Sequence, residues 1–164
     1  MNRIKKNAYT DFSTNPETHK FVWTYQLSKK STEKQILSTI SYIKYAYRIS
    51  KVNKKFLTNK KFLLKALKIN GAILNYLEPR FRVDKEMVMA ALYNDPVKIK
   101  GLGPHMFWDS IDDKLKEDED VLLAACINDS AIEYIPSRFL YNRKFILKCA
   151  KINGSILKLS LIHI

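Results

Sequence analysis

DKEMVMAALYNDP, residues 84–96, opens on an acid, closes on a proline, and shares its plan with three other stretches of the chain. Asp84 has a side-chain oxygen able to accept from the free amides that open a helix. Met87, Val88 and Ala91 follow it at the i, i+1, i+4 spacing of one helical face. Asp95 and Pro96 then stop the run, because proline cannot continue a helix.

Working outward, Asn59, Asp118 and Asn142 align with Asp84 as N-caps. Phe62, Val121 and Phe145 stand in the Met87 column; Leu63, Leu122 and Ile146 in the Val88 column; Ala66, Ala125 and Cys149 in the Ala91 column. That last column stays small, as close approach between two helix backbones requires. Stops recur in register at Asn70 with Gly71, Asp129 with Ser130, and Asn153 with Gly154, where glycine would accommodate a left-handed C-terminal turn. A second, shorter apolar segment follows, with Ile73 and Tyr76 matched by Ile132 and Ile135 and by Ile156 and Leu159. A base and a large apolar residue precede each cap: Lys55 with Phe56, Arg80 with Phe81, Lys114 with Leu115, and Arg138 with Phe139. Units this small cannot bury their own apolar faces, so neighbours must cover them.

The expected fold class is therefore all-α: short tandem helix-turn-helix repeats stacked as an α-solenoid-like array, with an N-terminal capping helical region. The expected divisions are an arm over 1–31, partly helical; a basic capping helix and linker over 32–56; and four repeats within 59–158. The repeats run 59–82, 84–116 with an insertion at 98–110, 118–140, and 142–158. Asp84–Pro96, Asp118–Ser130 and Asn59–Gly71 resemble the domain-of-unknown-function 4116 repeat family, whose pattern runs approximately D, K or R, E, apolar, V, L, x, A, V, x, x, N, G. The likeness covers about 59–158. It implies helical tandem repeats and assigns no catalytic residue.

In the arm, Asn15, Pro16 and Glu17 form a helix start, giving an expected helix over 16–29. The alternation of Phe21, Trp23, Tyr25 and Leu27 keeps a strand open as the alternative. From Thr32, Ile36, Ile40, Ile43 and Tyr47 hold helical spacing, and Thr32 with Gln35 can form a capping box. At the other end LSLIHI, residues 159–164, resembles translated adapter DNA. We read 159–164 as a non-native tail, with further repeats following in the natural protein.

The 164 residues, 46% hydrophobic and 27% charged, suit one globular domain without an apolar run of membrane-spanning length. No secretory signal is legible, so the expected location is cytoplasmic, or reached by a route without a recognisable signal. Cys126 and Cys149 sit in apolar helical patterns and read as buried free thiols. The net charge is +13, with 13 Lys or Arg against 3 Asp or Glu in residues 1–60 and 2 against 8 in residues 101–130.

No glycine-rich phosphate loop, zinc spacing or nucleophile motif occurs. His19, His105 and His163 are isolated from one another, and the acids from Asp109 to Asp120 lack the glycine and terminal glutamate of a calcium loop. We expect no catalytic, metal or cofactor-binding residue and no cofactor. The leading expectation is a non-catalytic scaffold that binds another protein. Met106, Phe107 and Trp108 of the insertion are its candidate anchor, against the plainer reading of a lid folded on the core. The alternative partner is nucleic acid. Tyr42, Lys44, Tyr45, Arg48, Lys51, Lys54 and Lys55 interleave cations with stacking rings there, set against an ordinary lysine face with tyrosines packed inward. No membrane partner is expected.

Overall fold

The computed structural model describes residues 9–14, 21–41, 43–94, 108–109, 111–127 and 134–157, and of 9–14, 21–25 and 43–44 the backbone alone. Several expectations lie outside these residues: the helix start at Pro16, the stops at Pro96 and Ser130, Tyr42, most of the insertion 98–110, and the tail 159–164.

Each expected cap works as one. Asn59 accepts from the amide of Phe62, Asp84 from those of Glu86 and Met87, Asp118 from those of Asp120 and Val121, and Asn142 from those of Lys144 and Phe145. They open the helices α3 (Lys60–Ile69), α4 (Lys85–Tyr93), α6 (Glu119–Ala125) and α8 (Arg143–Ile152). Thr32 and Gln35 close their capping box at the start of α1 (Glu33–Ile40). The linkers prove to be helical turns themselves: α2 (Lys54–Leu57), a 3-10 turn over Pro79–Phe81, α5 (Asp113–Lys116) and α7 (Ser137–Leu140).

Counting residues from each cap, position +7 holds Thr39, Ala66, Ala91, Ala125 and Cys149, and none is more than 1% exposed. Thr39, the odd polar member, donates its hydroxyl to the Gln35 carbonyl in its own helix, so its burial strands no polar atom. Position +4 holds Ile36, Leu63, Val88, Leu122 and Ile146, all buried. At roughly 1.5–3 kcal/mol for each large apolar side chain removed from water, this seam is the main stabilising feature of the array. The helices stack in chain order, α1 on α3, α3 on α4, α4 on α6 and α6 on α8. The all-α class holds for this body, and the capping helix is a diverged first unit of the same stack.

Three expectations change. The run from Ile36 to Tyr47 is not one helix: α1 ends at Ile40, and Ile43–Lys51 is a 3-10 helix. Its buried Ala46 and Ile49, with Val52 beyond, recur every three residues, the period at which 3-10 side chains eclipse. The expected helix over 16–29 gives way, in its described residues, to the second strand of an antiparallel hairpin of β1 (Tyr9–Thr14) and β2 (Phe21–Tyr25), which pairs Phe12 with Trp23 and lies beside α1. The alternating aromatics there outweighed the proline signal. The stops also work differently. Asn70 and Asn153 are extended, at φ −154° and −150°, and neither Gly71, which enters a 3-10 helix, nor Gly154 takes the expected left-handed turn. Asn70 instead accepts from the amide of Ala72 and so caps the following 3-10 helix, Gly71–Tyr76.

Asn70 also crosses between units. Its buried amide group donates to the carbonyl of Ile40 at 2.8 Å, satisfying an end carbonyl of α1 from the next unit. Gly71 likewise donates its backbone amide to the carbonyl of Asn94 at 2.9 Å, one unit further on. Of the short segments, Ile73 and Ile156 are buried as expected, whereas Tyr76 is exposed.

Replacing Ala91 by Leu adds three heavy atoms where α4 meets its neighbours. Ala91→Leu is expected to lower stability by about 1–3 kcal/mol, read from the urea unfolding midpoint. An unchanged midpoint would show that the small column does not set the helix spacing.

Candidate interaction surface

The first residue of each long helix, position +1, carries a charge, and the stack gives each such charge from α1 to α6 a partner in the next unit. Glu33 meets Lys65 at 3.1 Å. Lys60 meets Asp84 at 2.6 Å and Glu86 at 2.9 Å, and Lys85 meets Asp118 at 2.8 Å and Asp120 at 2.7 Å. Glu119 meets Lys148 at 2.6 Å. Two arrangements alternate by sign. A base at +1 reaches the acidic cap and +2 residue of the next unit, while an acid at +1 receives a lysine from that unit's +6. These pairs are largely exposed and worth little singly, so their role is to fix which unit sits on which.

Two of the acids also feel their surroundings. Partial burial works to raise the Asp84 carboxyl, and the hydrogen bonds from Lys60 and from the amides of Met87 and Glu86 overcome it, leaving the group below the usual 3.8. The hydrogen bond from Lys85 comes first for Asp118, against burial, and holds that carboxyl below the same value. Lys60, Lys85 and Lys148 are raised above 10.5 by their hydrogen bonds to these acids and to Glu119.

Position +5 is apolar throughout, with Leu37, Leu64, Met89 and Leu123 half-buried and Leu147 exposed. Leu37 floors a shallow groove that is also lined by Glu33, Lys34 and Ser38 of α1 and by Ile69 of α3. Ile69, 42% exposed, forms its far wall, and Ile152, 47% exposed, occupies the same +10 position in the last unit. Tyr93 of α4 adds an aromatic ring, 56% exposed, on the outward side.

The expected site residues fare unevenly. Met106 and Phe107 lie outside the described residues. Trp108 is in the core, 5% exposed, its ring 6.4 Å from that of Tyr134, and is not offered to a partner. Its large apolar surface is better covered than hydrated, which is the lid reading at that residue. In the basic front, the Lys44 side chain is outside the description, while Tyr45 and Arg48 are buried, the guanidinium lying 4.0 Å from the Tyr45 ring centre. A cation stacked on its own neighbour is not poised for a phosphate, which corrects the expectation for that pair. Lys51, Lys54 and Lys55 are exposed, and Lys51 lies 6.0 Å from the ring of Tyr47.

Sequence reading missed the groove residues Leu37 and Ile69. The +5 column was visible as a period, but which neighbour it faces follows only from the stack. Cys126 and Cys149 are buried and free, as expected. The hydrogen bond with Cys149, then burial, push the Cys126 thiol far above its ordinary value and away from nucleophilic chemistry.

A family model described as "Domain of unknown function (DUF4116)" matches residues 59–102 and 118–160, more than half of the chain in two tandem copies. No curated protein and no solved structure matches the chain. Among the described residues no helix is long and apolar enough to cross a membrane.

The ladder makes stability depend on pH at both ends. Asp84 and Asp118, with lowered folded values, contribute fully above their unfolded value and lose that contribution as pH falls through the folded one. The raised lysines contribute fully below 10.5 and lose it above their folded values. Urea midpoints should fall at both extremes, and Lys85→Met should flatten the acid limb by releasing Asp118. An acid limb unchanged by Lys85→Met would remove the lysine as its cause.

Proposed function

We propose that this chain, which belongs to the family described as "Domain of unknown function (DUF4116)", is a non-catalytic helical-repeat scaffold that holds another protein on its outer grooves. The observation that carries the reading is the groove between α1 and α3, with Leu37 as its floor, the exposed Ile69 as its wall, and Glu33 and Lys34 at the rim. Exposed apolar side chains framed by charge are the ordinary make-up of a protein-binding patch. A groove between two packed helices suits an extended or helical segment of a partner.

The non-catalytic part rests on how the ionisable groups are used. Asp84, Asp118, Glu119, Lys60, Lys85 and Lys148 engage one another across unit boundaries, so their charges serve the stack. A second reading, nucleic-acid binding, draws support from the exposure of Lys51, Lys54 and Lys55. It is weakened by the inward place of Tyr45 and Arg48.

Ile69→Lys and Ile152→Lys change exposed positions and should leave the helical circular dichroism and unfolding midpoint near those of the parent. Quantitative affinity capture of the parent's partner should fall about tenfold or more with each, the loss expected when an interface anchor worth above about 1.4 kcal/mol is removed. Equal capture by parent and both variants would sink the groove as the binding surface. A gel shift at low salt that disappears as salt rises, and that is abolished by replacing Lys51, Lys54 and Lys55 with Gln, would transfer the function to nucleic acid.

A further inference from the structure

The chain has two cysteines, and the stack brings them together. Cys126 stands at +8 of the third repeat and Cys149 at +7 of the fourth, on the packed helices α6 and α8. At the earlier junctions +8 holds Ile40, Leu67 and Leu92 and the following +7 holds Ala66, Ala91 and Ala125, a large residue and then a small one. Packing alone would be served by the same choice here, yet both members are sulfur. Both thiols are fully buried, and the Cys126 S–H donates a hydrogen bond to the Cys149 sulfur. That bond, against burial and the charge of Glu119, holds the Cys149 thiol below its ordinary value, so Cys149 is the sulfur of the pair that yields a thiolate first. Cys126 is the C-cap of α6, which at seven residues is the shortest of α1, α3, α4, α6 and α8. Helix ends open more readily than helix centres, and brief fraying there admits a small solute to the pair.

We infer that Cys126 and Cys149 form an oxidative modification site, at which a peroxide converts the two thiols into a disulfide that ties α6 to α8. The Cys149 thiolate attacks one peroxide oxygen, the O–O bond breaks and hydroxide leaves, so the sulfur gives up two electrons and becomes a sulfenic acid. The Cys126 sulfur then attacks Cys149 Sγ, the S–O bond breaks, and the departing hydroxyl leaves as water with the Cys126 proton. The peroxide has taken up both electrons in the first step, and no other oxidant enters. The Glu119–Lys148 pair that spans this junction is exposed and holds it weakly. A covalent bridge between the same two helices also restricts the unfolded chain from 126 to 149, so the oxidised stack resists unfolding where the reduced one does not. The site lies on different helices from the groove between α1 and α3 and is independent of what that groove binds.

Hydrogen peroxide added to the folded full chain should remove two hydrogens from the cysteine-bearing peptides, block both thiols against a maleimide after denaturation, and be reversed by dithiothreitol. Peptide mapping should place the bridge between Cys126 and Cys149. Cys126→Ser keeps a donor beside Cys149 but cannot close the bridge, so a sulfenic acid trapped by dimedone should accumulate on Cys149. In Cys149→Ser, oxidation of Cys126 should be slower at least about tenfold, because burial holds the remaining thiol protonated. The bridged parent should unfold at a urea midpoint about 1 M above that of the reduced parent, with the helical circular dichroism unchanged. A parent that keeps both thiols free until it unfolds, or whose cysteines gain oxygen without bridging, overturns the inference with no variant needed. So does a bridge that leaves the urea midpoint where it was, because α6 and α8 would then not be tied. Oxidation of Cys126 at the parent rate in Cys149→Ser overturns Cys149 as the attacking sulfur.

Discussion

Close approach at one small residue per helix governs this molecule. Thr39, Ala66, Ala91, Ala125 and Cys149 lie seven residues beyond their caps and are all buried. A longer side chain there would hold the axes apart and open every contact that depends on their distance. The interdigitated apolar columns at +4 and +8 need that spacing. So do Asn70, reaching the Ile40 carbonyl, and Gly71, donating to Asn94.

The charge ladder depends on the same spacing and adds what apolar packing lacks. Apolar columns are alike from unit to unit, so they stabilise a stack without dictating its order. The +1 residue distinguishes one junction from another, because a base seeks an acidic cap and an acid seeks a lysine at +6. Exposed pairs of this kind contribute modestly to stability, yet a mismatched junction would place like charges together at each step. The ladder also explains the acids between Glu117 and Asp120. Asp118 and Asp120 share Lys85, Glu119 holds Lys148, and Glu117 pairs with Arg138, so four members of a run that resembles a cation site are engaged by three bases of the chain.

Grooves arise as a by-product of the stack. Helices α1 and α3, packed through their buried positions, leave Leu37 half-covered with the exposed Ile69 beside it, and the flanking Glu33 is itself a rung of the ladder. Groove and stacking register therefore share residues, and any occupant of the groove would bear on the junction beneath it.

Local signals were enough for the caps, the columns and the unit length. A side-chain oxygen beside free amides, a 3.6-residue period and a small residue at fixed phase act within one helical turn or two, and Asn59, Asp84, Asp118 and Asn142 could be read without neighbours. Short-range signals in conflict were not enough. Proline and alternating aromatics competed before Tyr25, and pairing with Tyr9–Thr14 decided for a strand. Tertiary structure alone settled that Thr32 opens a unit of the same stack, that Trp108, Tyr45 and Arg48 turn inward, and that Leu37 and Ile69 line one groove between α1 and α3. Each of these depends on which side of a helix its neighbour occupies, and a periodic pattern specifies a face but not what covers it.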